Sequence, residues 1–224
     1  MIREDYLIGW IKRYLRWLAE IAGFLKTSDY EAAARRADLA LRELLGLGAD
    51  SVVALTEGEL LARLAVDEPP PVVRDKCLLL AALLAALGRT AAAQNHPDRA
   101  RDCRLKALQV ILGVTFHGGA DLPEFAPRVE DLLTELGEVP LPSHTEAALM
   151  LYHENRGDYA RAEDALFRYL DASDNAPAAL AIGRAFYLRL RALSDEVLVL
   201  GGLSRAEIEE GLAALERRQP PGGS

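Results

Sequence analysis

Residues 77–112 read CLLLAALLAALGRTAAAQNHPDRARDCRLKALQVIL, and this stretch decides the fold class. Leucine and alanine dominate its first half, and both are strong helix formers. Pro97 suits the first turn of a helix, where a backbone N–H would have no partner within the helix. The stretch therefore predicts two helices, from about Val72 to Gln94 and from Pro97 to about Val114, joined by a short turn.

The composition of the whole chain is that of a soluble helical protein. Leucine and alanine supply 40 and 37 of the 224 residues, whereas β-branched and aromatic residues occur mainly in short runs. Half of the residues are apolar and 27% are charged, which excludes a disordered or low-complexity chain. We therefore expect an all-α protein with a sizeable core.

Charge and cysteine content exclude several classes of function. The net charge is −8, and an acidic surface repels phosphate backbones, so we expect no nucleic-acid partner. Cys77 and Cys103 are too few for a disulfide scaffold and indicate buried thiols in a reducing compartment. Charges follow Met1 closely, unlike in a signal peptide, and the longest nearly uncharged run, 77–88, is too short to span a bilayer. These features predict a cytoplasmic protein of bacterial type with no integral membrane segment.

Local signals predict where the helices begin and end. A Ser or Thr followed three residues later by Glu is typical of a helix N-terminus, and it occurs at Ser28–Glu31, Thr56–Glu59, Ser143–Glu146 and Ser204–Glu207. Glycines such as Gly46 and Gly157 mark helix ends, and together these signals divide the chain into about nine to eleven helices. Residues 195–200 (DEVLVL) fit either a helical turn or a short strand.

The domain boundaries follow from the prolines and from the polar end of the sequence. Three consecutive prolines, Pro69 to Pro71, end one helix and predict a subdomain break at 67–72. Apart from its two prolines, the last segment, QPPGGS, contains no apolar side chain that could anchor it in a core. We expect one helical domain over residues 1–218 and a disordered tail over 219–224.

Three segments of the chain repeat one pattern of small residues. In each, a turn is followed by a residue suited to the start of a helix and then by an alanine three positions later. The pattern begins at Tyr30, Pro97 and Tyr159, and its first alanines are Ala33, Ala100 and Ala162. Two helices that cross closely need such small residues where their backbones approach, so the pattern predicts helix hairpins.

This pattern resembles the tetratricopeptide (TPR) helix-turn-helix repeat. The residues at the family's marker positions are Leu84, Leu87, Gly88, Asn95, Ala100, Ala107 and Leu108 in one hairpin, and Leu149, Gly157, Tyr159 and Ala162 in another. The opening sequence, MIREDY, also resembles a group of uncharacterised bacterial TPR-like proteins. The resemblance implies a superhelical array of antiparallel helix hairpins with irregular repeats, and it leaves the activity open.

The resemblance also implies a concave groove that binds a protein or peptide partner. The family's inward-facing positions correspond in this chain to Arg89, His144, Leu151 and Glu154. Small residues beside them would leave room for a peptide. Arg89 and Glu154 would recognise the backbone or the charge of that peptide. The sequence does not decide between two alternatives. Either the groove is exposed to a partner, or the extra helices of the array fill it.

Aromatic residues concentrate near the start of the chain, where both tryptophans lie. Trp10, Tyr14 and Trp17 recur at helical spacing. One interpretation is a stripe that faces the core, a second is an interface with another copy of the chain, and a third is a helix on a membrane surface. The second interpretation predicts a homodimer.

The residue patterns predict neither catalysis nor a bound cofactor. The four histidines lack the spacing of a helical zinc site, and the sequence has no nucleophile elbow and no phosphate-binding lysine loop. We therefore predict a non-catalytic protein without metal or cofactor that acts as a scaffold for protein–protein interaction. The alternative is a small-molecule or membrane-surface sensor that uses a cavity between helices.

Overall fold

The computed structural model describes the backbone of residues 2–115 and 122–218, and side chains from residue 12 onward. Within these ranges the chain is all-α, with twelve helices and no strand. The predicted all-α class is thus confirmed, the helix number is one above the predicted range, and the TPR-like arrangement stays a prediction. In chain order the helices are α1 (Ile2–Lys26), α2 (Tyr30–Leu45), α3 (Ala49–Ala54), α4 (Glu57–Leu64), α5 (Pro70–Ala93), α6 (Pro97–Thr115), α7 (Val129–Leu136), α8 (Ser143–Arg156), α9 (Tyr159–Ala172), α10 (Pro177–Arg191), α11 (Asp195–Leu200) and α12 (Arg205–Arg218). The predicted tail over 219–224 lies outside the described residues.

The chain forms two compact units, unit 1 over residues 1–139 and unit 2 over residues 140–224. This division lies away from the break predicted at 67–72. Pro70 and Pro71 occupy the first turn of α5, where a helix tolerates proline. The prolines therefore lie between helices α4 and α5 within unit 1.

Helix α5 is the centre of unit 1. It carries a buried run from Cys77 to Gly88, and α1, α2, α4 and α6 all pack against it. By length and composition alone it is the one helix in the described residues that could cross a membrane. Its most apolar window is 78% buried inside the protein, which is the burial expected of a core helix that is apolar on all sides.

The helices α5 and α6 approach closely at small residues. Gly88 and Ala100 are both buried, and a Cβ atom on Gly88 would lie 3.2 Å from the carbonyl oxygen of Ala100. Glycine at this position lets the backbones of the two helices meet. The pairing of α5 with α6 is the packing that the alanine pattern predicts.

Unit 2 is built on the pair α8 and α9, with α10 packed against α9 and α12 packed against α10. Gly183 of α10 lies where a Cβ atom would come within 3.2 Å of Leu166 on α9 and of Leu215 on α12, so three helices meet there. Residues 195–200 form helix α11. Its first turn is capped by Ser194, whose hydroxyl oxygen accepts a hydrogen bond from the backbone N–H of Val197 at 3.4 Å.

Two of the four predicted capping pairs are confirmed. Thr56 and Glu59 form both reciprocal bonds of a capping box at the start of α4. At the start of α12 the backbone N–H of Ser204 donates to Glu207 Oε2 at 2.7 Å, and the N–H of Glu207 donates to Ser204 Oγ at 3.3 Å. Each pair fixes the first residue of its helix.

The other two capping predictions are wrong. Asp29 caps α2 by accepting a hydrogen bond from the N–H of Ala32 at 3.1 Å, while Ser28 before it has a positive φ of 58°. At the start of α8, Glu146 is buried in unit 2 and accepts a hydrogen bond from Arg168. The spacing of a capping pair does not distinguish a glutamate that turns back to the cap from one that turns into the core.

Candidate functional site

Helices α4, α5 and α6 form a pocket of about 710 Å³ within unit 1. Its lining comes from three segments of the chain: Glu57, Leu60, Leu61, Leu64 and Ala65 along α4; Glu68, Pro70, Pro71, Val73, Arg74, Cys77 and Leu80 up to and along the first turns of α5; and Gln109, Val110, Gly113 and Val114 of α6. Pockets that hold small molecules in proteins have volumes of this order. The pocket is therefore the candidate site.

Local sequence determines the wall that α4 contributes. The capping box begins the helix at Glu57, and Leu60 and Leu64, four residues apart, both turn to the buried side. Leu61 also lines the pocket, yet it is 48% exposed. The pocket thus has a buried apolar floor and opens to solvent beside Leu61.

Two lysine side chains bond to the acidic residues of the pocket lining. Lys106 Nζ of α6 donates to the carbonyl oxygen of Leu55 at 2.7 Å and lies 3.2 Å from Glu57 Oε1. Lys76 Nζ of α5 lies 2.9 Å from Glu68 Oε1. The Lys106 bonds hold the start of α4 against α6, and each of the two lining glutamates has a lysine partner.

Arg74 is the third charged residue of the pocket lining, after Glu57 and Glu68. Its Nη2 atom is buried without a hydrogen-bond partner, and no side chain in the described ranges forms an ion pair with it. Burial raises the pKa of the neighbouring Asp75 carboxyl group, and the positive charge of Arg74 opposes that rise. Arg74 is thus the charged side chain of the lining that has no ion-pair partner among the described residues, and its guanidinium group can pair with an anionic ligand.

Both cysteines are buried thiols, as the sequence predicts. Burial raises the pKa of the Cys77 thiol to about 11, and burial likewise raises the pKa of the Cys103 thiol to about 11. Cys77 therefore contributes apolar surface to the pocket instead of a thiolate nucleophile. In the part of the chain that the structure describes, no three His, Cys, Asp or Glu side chains are grouped to hold a metal ion.

The residues predicted for a concave groove fall in both units. Arg89 lies on α5 in unit 1, where its Nη1 atom is 3.6 Å from Glu135 Oε1. The other three, His144, Leu151 and Glu154, lie on α8 in unit 2. Glu154 accepts two hydrogen bonds from Arg189, at 2.6 and 2.8 Å. Both charged side chains thus have a partner within their own unit, and the groove itself stays a prediction.

Two of the aromatic residues predicted for self-association are core residues of unit 1. Tyr14 and Trp17 are both buried. The guanidinium groups of Arg13 and Arg36 lie over the Trp17 ring, at 5.1 and 4.5 Å from its centroid. This is the first of the three interpretations, a stripe that faces the core. The side chain of Trp10 lies outside the described residues, and the homodimer stays a prediction.

The comparisons with known proteins identify a family for the chain and no activity. Neither a curated protein nor a solved structure matches it. A family model does match, over residues 1–219, which is nearly the whole length. The chain therefore belongs to the Family of unknown function (DUF6483).

Proposed function

We propose that this protein is a non-catalytic binding protein whose pocket between α4, α5 and α6 takes an apolar small molecule. The observation that carries the proposal is a pocket of about 710 Å³ lined mainly by leucine, valine and proline side chains. Small-molecule sites are typically of this size and mostly apolar, with a few polar groups that orient the ligand. This function corresponds to the small-molecule sensor that the sequence leaves open as an alternative.

The chemistry of the lining supports binding in preference to catalysis. Glu57 and Glu68 are each paired with a lysine, and burial keeps the Cys77 thiol protonated at neutral pH. A nucleophilic thiol needs a lowered pKa, and burial shifts the pKa of Cys77 in the opposite direction. The apolar side chains beside these three groups can bury a ligand by the hydrophobic effect alone.

A neutral fluorescent probe, N-phenyl-1-naphthylamine, tests the pocket directly, because its emission rises in apolar surroundings. We expect saturable binding of one probe per chain. Gly113→Phe should abolish it, since Gly113 lines the pocket and a Cβ atom there meets nothing within 4 Å. Ala65→Phe adds the same ring from another wall of the pocket.

Gly23→Phe is the matched control for these two variants. Gly23 lies on α1, is not part of the pocket lining, and also has nothing within 4 Å of an added Cβ atom. Probe binding that survives in this variant and is lost in both others supports the proposal. Equal probe binding by all four proteins, each checked for folding by circular dichroism, would contradict it.

A TPR-like scaffold for protein–protein interaction is the second candidate. The close approach of α5 and α6 at Gly88 supports hairpins of this kind, and α11 exposes Val199 and Leu200, which are 67% and 89% exposed. Affinity purification from the native host tests it. A partner lost in Leu200→Glu and kept in Gly113→Phe would favour the scaffold over the pocket. A location in the bacterial cytoplasm is part of either proposal.

A further inference from the structure

We infer that the ligand of this pocket is a single-chain amphiphile with a carboxylate head, and that Arg74 binds the head. The inference rests on the proposed function, because it names the ligand class of the same pocket. It starts from Arg74, which lines the pocket and forms no ion pair with any described residue. A carboxylate supplies the missing negative partner, and guanidinium–carboxylate pairs are strong, charge-assisted hydrogen bonds.

The charges around the pocket favour a head with one negative charge. Glu57 and Glu68 each have a lysine partner, so they add little net charge to the lining. Asp75 is next to Arg74 in the chain but forms neither a hydrogen bond nor an ion pair with it within the described ranges. One guanidinium group of the lining is thus left without a partner, and one carboxylate is enough to balance its charge.

The rest of the lining suits an unbranched apolar chain. Leu60, Leu64 and Leu80 provide a buried aliphatic surface, and Val110 of α6 continues it. Because each buried methylene group is stabilised by removal from water, affinity should rise about fourfold per added methylene until the pocket is full. A ligand of this class would lie with its chain along these residues and its head at Arg74.

Displacement of N-phenyl-1-naphthylamine by three ligands of equal chain length tests the inference in the wild-type protein. The ligands are decanoate, 1-decanol and decyltrimethylammonium. We expect decanoate to displace the probe at about a tenfold lower concentration than decanol, which is the effect of one hydrogen bond between charged groups. The ammonium compound should be the weakest of the three.

Two arginine variants then assign the preference to one side chain. Arg74→Gln should reduce the advantage of decanoate over decanol to within about twofold, and Arg74→Lys should retain part of it. Arg63→Gln is the control, because Arg63 is an exposed residue of α4 outside the pocket lining. In this variant the advantage of decanoate over decanol should be the same as in the wild type.

The outcomes separate this inference from the proposed function. Equal displacement by decanoate and decanol, with probe binding abolished by Gly113→Phe, would overturn the carboxylate head and leave the apolar pocket standing. A preference for the ammonium compound would also overturn it. Absence of any probe or ligand binding to the wild type would overturn both.

Discussion

Gly88 of α5 lies against the side chain of Arg104 on α6, so closely that a Cβ atom at position 88 would come within 2.8 Å of Arg104 Cγ. Arg104 is itself held in place, because its Nε atom donates a hydrogen bond to Glu135 Oε2 on α7 at 2.9 Å. A residue larger than glycine would therefore have to displace a side chain that bridges two helices. The packing of α5, α6 and α7 depends on this small residue.

Gly88→Ala should destabilise the protein although alanine is the better helix former. Overpacking against Arg104 should cost about 1–3 kcal/mol, more than the roughly 1 kcal/mol that the helix gains. Gly23→Ala makes the same change in open space on α1 and should raise the free energy of unfolding by up to about 1 kcal/mol. Urea unfolding measures the free energy of unfolding of both variants. If Gly88→Ala raised it as Gly23→Ala does, α5 and α6 would not be in close contact at Gly88.

Lys106→Met should loosen the α4 wall of the pocket. It removes the 2.7 Å hydrogen bond to the Leu55 carbonyl oxygen and the ion pair with Glu57, at an expected cost of about 1–3 kcal/mol. Hydrogen exchange measured by mass spectrometry should show the largest loss of protection in α4. Arg101→Met is the control. It removes an exposed cation from α6, the helix that also carries Lys106, and should change the free energy of unfolding by less than about 0.5 kcal/mol. Unchanged exchange in α4 would refute the role given to Lys106.

Arg168→Met should destabilise unit 2 in a pH-dependent way. Glu146 is 3% exposed, and burial raises the pKa of its carboxyl group although the hydrogen bond from Arg168 opposes the rise. A carboxyl group with a raised folded-state pKa favours the folded protein fully below its ordinary pKa of 4.5, and this contribution is lost as pH rises through the folded-state value. Removing Arg168 raises that pKa further.

The variant should therefore be less stable than the wild type by about 1–3 kcal/mol at pH 7, and the difference should shrink towards pH 4.5. Urea unfolding at several pH values measures it. Arg161→Met, an exposed arginine of α9 without an ion pair among the described residues, is the matched control. A difference that stays constant over this pH range would mean that Glu146 and Arg168 are not coupled.

Cys77 and Cys103 should react slowly with iodoacetamide in the folded protein at pH 8. Burial raises the pKa of each thiol to about 11, so about one thiol in a thousand is ionised at that pH. Both should be alkylated quickly in guanidinium chloride. Mass spectrometry after timed quenching gives the rates, and rapid alkylation of either thiol without denaturant would be the contrary result.

Signals within a few residues of each other predict most of the helices. Gly46 and Gly157 end α2 and α8 with φ values of 73° and 77°, the left-handed conformation expected of glycine at a helix end. The Thr56–Glu59 capping box likewise begins α4 where its spacing predicts. Such features depend on the local chain alone, so one sequence is enough to find them.

Contacts between distant residues account for what the sequence does not predict. Helix α3 was not expected, and its start is held by Asp38 of α2, whose Oδ1 atom accepts a hydrogen bond from the N–H of Ala49 at 2.7 Å. The pocket is a similar case, since α4 must fold back on α5 and α6 before its lining exists. The local sequence signal closest to the pocket is the run of three prolines. It predicts a subdomain break and gives no sign that Pro70 and Pro71 line a pocket.

Methyl NMR tests most directly whether an apolar molecule enters this pocket. Leucine and valine methyl groups are labelled, and N-phenyl-1-naphthylamine is titrated into the full chain, where its rings shift nearby resonances. The account predicts saturable shifts at Leu60, Leu64, Leu80 and Val110, with Leu166 in the core of unit 2 unchanged. Shifts confined to unit 2, or no shift at any of the four pocket residues, would contradict it.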